Sequence, residues 1–325
     1  MENDIFEQRT DMTKLSQAVE QIKATLAKII VGQHDSIDLL IAGILADGHI
    51  LIEGVPGVAK TLTAKLIAKA IDAQYSRIQF TPDLMPSDIL GTSVFNPKST
   101  EFEFKRGPIF GNIILIDEIN RAPAKTQSAL FEVMEERQIT IDGHSYKMQE
   151  PFTVLATQNP VEQEGTYRLP EAQLDRFLFK IEIKYPTLEE EIAIITQQHS
   201  QKTTDQLNHV DPVLSAADII ALRQQVKSLH VEDKLLEFTA KIVYGTRNHK
   251  SLYLGGSPRA SLAIINAAKA LAAIKGRDFV TPEDIIYVAA PVLRHRIMLT
   301  PDREMEGASP DDVITQIIQK LEIPR

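Results

Sequence analysis

The chain has no cysteine and no tryptophan among its 325 residues. Without cysteine it cannot form a disulfide framework, bind a metal through thiolates or use a cysteine nucleophile. Acidic residues outnumber basic ones, because 44 acids stand against 35 lysines and arginines and leave a formal net charge of −9. This balance argues against a surface that binds nucleic acid by neutralising phosphates, although it leaves room for a local basic groove.

Long apolar runs are also missing. The most apolar stretch, residues 39–46, has eight residues, whereas a helix that spans a membrane needs about 20. The first residues, MENDIFEQRT, lack the basic start and the apolar core of a secretory signal. We therefore expect a cytoplasmic protein that makes no direct contact with a membrane.

What the sequence does contain is an alternation of short apolar runs with segments of helical periodicity. Continuous apolar runs are typical of strands buried on both faces, as in a parallel sheet. Their alternation with helical segments predicts an open α/β sheet. The apolar runs cover residues 50–52, 78–80, 113–116, 152–156 and 177–183, and the most evident helices between them cover residues 61–73 and 124–137.

Two segments interrupt this alternation. Residues 93–110 place turn residues between two alternating stretches, and residues 137–148 contain the hairpin signal Asp142-Gly143. Each segment therefore predicts a β-hairpin that projects from the core.

The strand signals fade after residue 186. Helix starts take their place, such as Ser215 followed by Asp218, which is a capping-box pattern. The change predicts an α/β domain over residues 1–186 and an all-helical domain over residues 187–325.

The stretch GVPGVAKT, residues 54–61, has the spacing of a phosphate-binding loop, with Ala59 where the second glycine is usual. Backbone N–H groups of such a loop bind phosphate, its lysine (Lys60) reaches the β- and γ-phosphates, and its threonine (Thr61) binds Mg²⁺. The apolar strand before it and the amphipathic helix after it favour this interpretation over a glycine-rich surface turn. We expect Ala59 to be tolerated provided that its backbone keeps a negative φ. The predicted nucleotide contacts are Gly54, Val55, Pro56, Gly57, Val58, Ala59, Lys60, Thr61 and Leu62.

Two further apolar runs end in polar residues. In IILIDEIN, Asp117 can hold Mg²⁺ through water together with Thr61, and Glu118 can polarise a water for attack on the γ-phosphate. An acidic pair after a strand is common by itself, but about 60 residues behind a phosphate loop it indicates ATP hydrolysis. Asn159, at the end of VLATQNP, could hold the attacking water, although Asn-Pro is also an ordinary turn.

Three arginines are candidates for contact with the γ-phosphate. Arg176, just before a strand, could act as an arginine finger in the site of a neighbouring subunit, and Arg168 is the alternative. Arg259 follows Ser257-Pro258 in the first turn of a predicted helix, where a cation opposes the helix dipole. A triphosphate within reach would explain that position, whereas a surface ion pair is the simpler interpretation.

In this order the motifs resemble those of an AAA+ ATPase. Five segments are similar in sequence to the MoxR family of bacterial AAA+ proteins, which is related to the ATPase subunit of magnesium chelatase. The segments are EGVPGVAKT, FTPDLMPSDILG, LIDEINRAPAKTQSALFEVMEERQ, LATQNPVEQEGTYRLPEAQLDRF and GGSPRA. The resemblance implies a P-loop core with a parallel sheet flanked by helices, two hairpin insertions and a small helical lid. It also implies site roles, namely adenine contact by the segment with Val31 and Gly32, a first sensor at Asn159, a finger in trans at Arg176, a lid sensor at Arg259 and a polar switch at Gln79 beside Glu118.

By the same resemblance the function is that of a chaperone-like motor that hydrolyses ATP with Mg²⁺ and assembles into a ring, often a hexamer. The implied partners are a protein with a von Willebrand factor A domain and a client complex, whose maturation can include metal-cofactor insertion. A nucleic-acid motor is the alternative, since Lys98, Lys105 and Arg106 form a small basic group. A third hypothesis is a scaffold that binds ATP with little turnover. The presence of Glu118 argues against it.

Overall fold

A computed structural model describes residues 11–55, 57–159, 167, 169–200 and 210–324. Within this part of the chain, five parallel strands form the central sheet, namely β1 (His49–Gly54), β2 (Tyr75–Gln79), β5 (Ile113–Asp117), β8 (Thr153–Gln158) and β9 (Phe177–Ile183). Their order in the sheet is β2-β5-β8-β1-β9. Ile50 and Ile52 of β1 face one apolar cluster and Leu51 faces the other, because both faces of the sheet are covered by other elements.

Helices of the first half cover the sheet on both faces. Leu15, Leu40 and Leu66 project from three of these helices into the cluster that also holds Ile50, and Leu130 of a fourth helix lies in the cluster on the opposite face. The predicted α/β core is therefore confirmed. Its helices are α1 (Thr13–Ala27), α2 (His34–Leu45), α3 (Lys60–Ala70), α4 (Pro86–Leu90), α5 (Ala124–Glu136) and α6 (Glu171–Leu174).

Both predicted hairpins are present. The first pairs β3 (Gly91–Asn96) with β4 (Glu101–Arg106), directly after α4. The second pairs β6 (Gln138–Ile141) with β7 (His144–Lys147). Its two turn residues, Asp142 and Gly143, both have positive φ, which is the backbone of the turn that Asp-Gly favours.

The second half is mainly helical, and it begins its helices where the capping signals predict. Ser215 and Asp218 form the expected reciprocal cap. The helical lid is confirmed, and the structure adds a two-stranded antiparallel sheet of β10 (Leu252–Leu254) and β11 (Met298–Leu299) that the prediction of an all-helical domain lacks. The helices are α7 (Leu188–Ser200), α8 (Ala216–Lys227), α9 (Asp233–Arg247), α10 (Pro258–Ile274), α11 (Pro282–Leu293), α12 (Pro301–Met305) and α13 (Pro310–Gln319).

One apolar cluster runs through both halves of the chain, since it joins Ile264 of α10 to residues of α1 and α2. The domain boundary at residue 186 therefore stays a prediction from sequence. No helix among the described residues combines the length and apolar composition needed to cross a membrane.

Candidate functional site

The carboxyl ends of neighbouring strands bring the predicted nucleotide residues together. Strand register places Gln79 beside Asp117, and β8 runs between β5 and β1, so Asn159 follows it at the same edge of the sheet as Gly54. Because parallel strands end at one edge, residues that are distant in sequence meet here.

The phosphate-binding loop connects β1 to α3. A side chain at residue 54 would place its Cβ 2.8 Å from the carbonyl oxygen of Ile183, so this position accepts only glycine. Gly57 has a φ of 87°, and the Lys60 ammonium donates a hydrogen bond of 2.6 Å to the Gly54 carbonyl oxygen. Val55, Val58 and Leu62 pack against the apolar core, whereas Pro56 lies outside the described residues.

Ala59 does not keep the negative φ that the sequence interpretation required. It is the residue before α3, with φ of 57° and ψ of 20°, which is the left-handed region. For a residue with a Cβ this conformation costs roughly 1–2 kcal/mol. The loop geometry therefore imposes a glycine-like backbone on an alanine, and the methyl group adds strain.

Asp117 contacts three side chains at this edge, from three different elements. Its side chain is largely buried and accepts hydrogen bonds from the Thr157 hydroxyl at 3.2 Å and from Arg77 Nε at 2.7 Å. The Thr61 hydroxyl lies 3.4 Å from Oδ2 and 3.5 Å from Oδ1. The hydrogen bond to Asp117 raises the pKa of Arg77, so the guanidinium stays charged.

Glu118 begins the turn that follows β5, with a left-handed backbone (φ of 59°). Its backbone N–H donates to the Thr157 hydroxyl at 3.0 Å. Its carboxylate accepts a hydrogen bond of 2.7 Å from the Gln79 amide and pairs with Arg121 at 3.3 Å. Gln79, which the family resemblance singled out, is thus in direct contact with the predicted base.

The segment predicted to contact adenine is hydrogen-bonded to the phosphate-binding loop. The Gln33 amide donates to the Val58 carbonyl oxygen at 3.1 Å. Gly32, with a φ of 69°, lies against the carboxylate of Glu190 on α7. Val31 and Gly32 are therefore held next to the phosphate-binding loop by both halves of the chain.

The two predicted γ-phosphate arginines lie at the opposite edge of the sheet. Arg176 precedes Phe177, which pairs with His49 at the amino end of β1. Arg176 donates to the Phe131 carbonyl oxygen at 2.8 Å and to Glu135 at 3.2 Å, and Arg259 lies 3.6 Å from the same carboxylate. In this structure Arg259 therefore does not reach the phosphate-binding loop of its own chain. Arg168 lies outside the described residues.

Comparison with known proteins agrees with this arrangement. A family model described as the ATPase family associated with various cellular activities (AAA) matches residues 49–179, and an AAA lid domain model matches residues 244–317. The chain is 47% identical over 310 residues to YeaC of Bacillus subtilis (strain 168), with 95% of each chain covered. It is 45% identical over 320 residues to Chaperone MoxR1 of Mycobacterium tuberculosis (strain ATCC 25618 / H37Rv), covering 96% of this chain and 82% of that relative.

The chain belongs to the MoxR family of AAA+ ATPases. A crystal structure of a candidate ATPase from Cytophaga hutchinsonii superposes on it with a TM-score of 0.89, at 41% identity and over 97% of both chains. The expected fold, family and ATPase activity are therefore confirmed.

The donors at the loop of this MoxR-type ATPase suit a hydrated magnesium ion. The hydroxyl of Thr61 and the carboxylate of Asp117 are hard oxygen ligands, the kind that Mg²⁺ prefers. The described residues contain no group of three or more His, Cys, Asp or Glu side chains that could hold a metal. A site for Mg²⁺ would thus depend on these two side chains, nucleotide oxygens and water, which is how this ion is commonly bound.

Sequence reasoning missed four side chains that hold the predicted residues in place. Arg77 and Thr157 contact Asp117, Arg121 contacts Glu118, and Glu135 holds both arginines of the opposite edge. Arg77 stands two residues before Gln79 on the same strand, so the period-two alternation of a strand could have placed it on the same face as Gln79. Thr157 likewise stands two residues before Asn159, and Arg121 stands three residues after Glu118, so of the four only Glu135 carries no local signal.

Proposed function

We propose that this MoxR-type ATPase works as a ring, in which each nucleotide site is completed by a neighbouring copy of the chain. One observation carries the proposal, namely that the loop and the two γ-phosphate arginines lie at opposite edges of one sheet. His49, which marks the arginine edge, and Gly54, which marks the loop edge, are the two ends of β1. Five residue steps along a strand span about 16 Å, and that distance is longer than an arginine side chain.

A second copy removes this difficulty when it packs head to tail, with its arginine edge against the loop edge of the first. Such an interface uses two different surfaces, and repetition of the same rotation closes it into a ring. Six subunits is the number that the family resemblance suggests. Arg176 is then the finger in trans, and Arg259 reaches the triphosphate of the neighbour and not that of its own chain.

Within one site the chain's own residues would divide the work of hydrolysis. Lys60 would contact the β- and γ-phosphates of ATP, and Thr61 with Asp117 would hold Mg²⁺, which offsets phosphate charge when bound. Glu118 would accept the proton of the attacking water once its carboxylate leaves Gln79. Asn159, buried at the end of β8, would orient that water.

The work done with this energy is proposed to be chaperone-like remodelling of a protein complex in the cytoplasm. The relative MoxR1 is described as a chaperone, and the hairpins β3–β4 and β6–β7 offer surfaces that could move with the site. A partner with a von Willebrand factor A domain, and metal-cofactor insertion into the client, follow from the family resemblance. Capture of partners by a Glu118→Gln variant loaded with ATP tests this part.

A nucleic-acid motor is less well supported. The basic residues Lys105 and Arg106 lie on β4, but Glu101 and Glu103 lie on the same strand and offset their charge. A surface of mixed sign gives little phosphate attraction.

Mixing two inactive variants tests the shared site. Lys60→Ala removes a loop residue and Arg176→Ala removes the finger, so each variant alone should have little turnover. In a mixed ring some interfaces combine the intact loop of one subunit with the intact finger of the other, and ATP hydrolysis should partly return. The double variant Lys60→Ala/Arg176→Ala mixed with Lys60→Ala is the control that should stay inactive. Inactive mixed rings, with assembly shown by size, would contradict a finger in trans.

A further inference from the structure

Arg77 forms an ion pair with Asp117, the acid that is expected to hold magnesium. It lies in the middle of β2, the strand at one edge of the sheet. Its Nε donates to Asp117 Oδ2 at 2.7 Å, and its Nη2 reaches the Gln79 side-chain oxygen at 3.5 Å. About half of the arginine side chain is exposed, whereas only 9% of the Asp117 side chain is.

Orientation of Asp117 does not explain this contact, because other groups already orient it. The Thr157 hydroxyl donates to Oδ1 from β8, the adjacent strand, and also accepts the backbone N–H of Glu118. Thr61 approaches the carboxylate from α3. What Arg77 adds is a full positive charge in a charge-assisted hydrogen bond, which is stronger than a neutral one.

We propose that Arg77 shares Asp117 with the magnesium ion and thereby sets the concentration of Mg²⁺ that the site requires. The inference rests on the proposed assignment of Asp117 and Thr61 to that ion. The Thr61 hydroxyl lies 3.4 Å from Oδ2, the oxygen that accepts from Arg77, and 3.5 Å from Oδ1, so an ion held by Thr61 and Asp117 would draw on the same carboxylate that Arg77 contacts. Each weakens the attraction of Asp117 for the other, because like charges close together repel.

The position of Arg77 allows its guanidinium to move away from Asp117 when an ion binds there. Because β2 is an edge strand and the side chain is half exposed, the guanidinium can turn toward solvent without displacing core residues. Arg121 gives a useful comparison, since it places the same charge on the neighbouring acid Glu118 at 3.3 Å. A direct effect through Asp117 should belong to Arg77 and not to Arg121.

The experiment measures nucleotide binding, so hydrolysis is not needed. A fluorescent β,γ-imido analogue of ATP is titrated into the full chain, first in EDTA and then at increasing free Mg²⁺. Arg77→Gln should reach half of its Mg²⁺-dependent gain in affinity at about fivefold lower free Mg²⁺ than the wild type, which is the scale of one partly exposed ion pair. Its affinity in EDTA should stay within about twofold of the wild type.

Three further variants make the result specific. Arg77→Met, a second neutral replacement of similar length, should show the same shift as Arg77→Gln, and Arg77→Lys, which keeps the charge, should shift less than either. Arg121→Gln should leave the Mg²⁺ requirement within about twofold of the wild type. Thermal unfolding without nucleotide checks that each variant is folded.

Several results would overturn the inference. One is an unchanged or higher Mg²⁺ requirement in both neutral variants, and another is an equal shift in Arg121→Gln. A third is a loss of analogue binding in EDTA by the Arg77 variants, which would indicate that Arg77 contacts the nucleotide itself. If instead the wild type binds the analogue equally well with and without Mg²⁺, the magnesium assignment of Asp117 and Thr61 fails, and the inference fails with it. A wild type that responds to Mg²⁺ beside variants that do not differ from it refutes the role of Arg77 alone.

Discussion

Replacement of Ala59 by glycine should make the protein more stable. Ala59 has a left-handed backbone, with φ of 57° and ψ of 20°, and a Cβ in this region costs roughly 1–2 kcal/mol. Glycine removes this strain, but its freedom in the unfolded chain offsets about 0.4–1 kcal/mol of the gain. The free energy of unfolding should therefore rise by about 0.5–1 kcal/mol, which for 325 residues corresponds to a melting temperature about 1 °C higher.

Gly57→Ala is the matched control, because it makes the opposite change in the same loop. Gly57 has a φ of 87°, and a Cβ at this position would meet no atom of the described residues within 4 Å. A clash with described residues other than its chain neighbours is thus excluded there, and the backbone strain of about 1 kcal/mol or more should appear as lower stability.

Scanning calorimetry of both variants without nucleotide, followed by a titration with ATP, checks the pair of predictions. Affinity for ATP should change little in Ala59→Gly, because the N–H of residue 59 is kept. Loss of stability in Ala59→Gly, or no loss in Gly57→Ala, would refute the argument that this loop has a left-handed backbone at both positions.

Three other predictions concern the base, its support and a buried histidine. Glu118→Gln should lower ATP turnover by about 10²-fold or more while nucleotide binding remains, since a general base contributes about 10²–10⁴; unchanged turnover would exclude Glu118 as the base. Thr157→Val should lower turnover by about tenfold because it removes a donor to Asp117 and an acceptor for the Glu118 N–H, whereas Thr157→Ser should retain activity; equal losses in both would contradict the hydroxyl role. Burial lowers the pKa of His49 to about 4, so its contribution to stability is complete above pH 6.5 and is lost as the pH falls toward 4, by up to about 3 kcal/mol. Chemical unfolding at several pH values should show a weaker pH dependence in His49→Gln than in the wild type. Burial also lowers the pKa of His295, so a loss of the same sign remains in both proteins.

The layout of the loop edge could be predicted because it follows from local pattern and one general rule. Gly54, Asp117 and Asn159 each end an apolar run, and the ends of parallel strands meet at one edge. No knowledge of strand order was needed, since any parallel order brings these three residues to the same edge. The hairpins were predictable for a similar reason, because Asp142-Gly143 specifies its own turn.

Other features depend on packing that the sequence does not display. The backbone of Ala59 is set by the junction of β1 with α3, and alanine itself carries no signal for positive φ. The contact between Arg77 and Asp117 depends on β2 lying beside β5, which is a choice of strand order. The strands β10 and β11 have three and two residues, too few for alternation to be visible.

A second argument for a shared site comes from the exposed position of Arg259 at the arginine edge. Glu135 faces Arg176 at 3.2 Å and Arg259 at 3.6 Å, and Glu132 and Glu136 line the same cleft as Arg176, so Arg176 has acids of its own subunit around it. Arg259 is 66% exposed and stands in the first turn of α10, where the helix dipole disfavours a cation. Among the described residues, the acid that faces Arg259 is Glu135, which it shares with Arg176. A triphosphate presented by the loop edge of a neighbouring subunit would compensate the charge of Arg259, because that anion is the one large negative charge which the proposed ring brings to this surface.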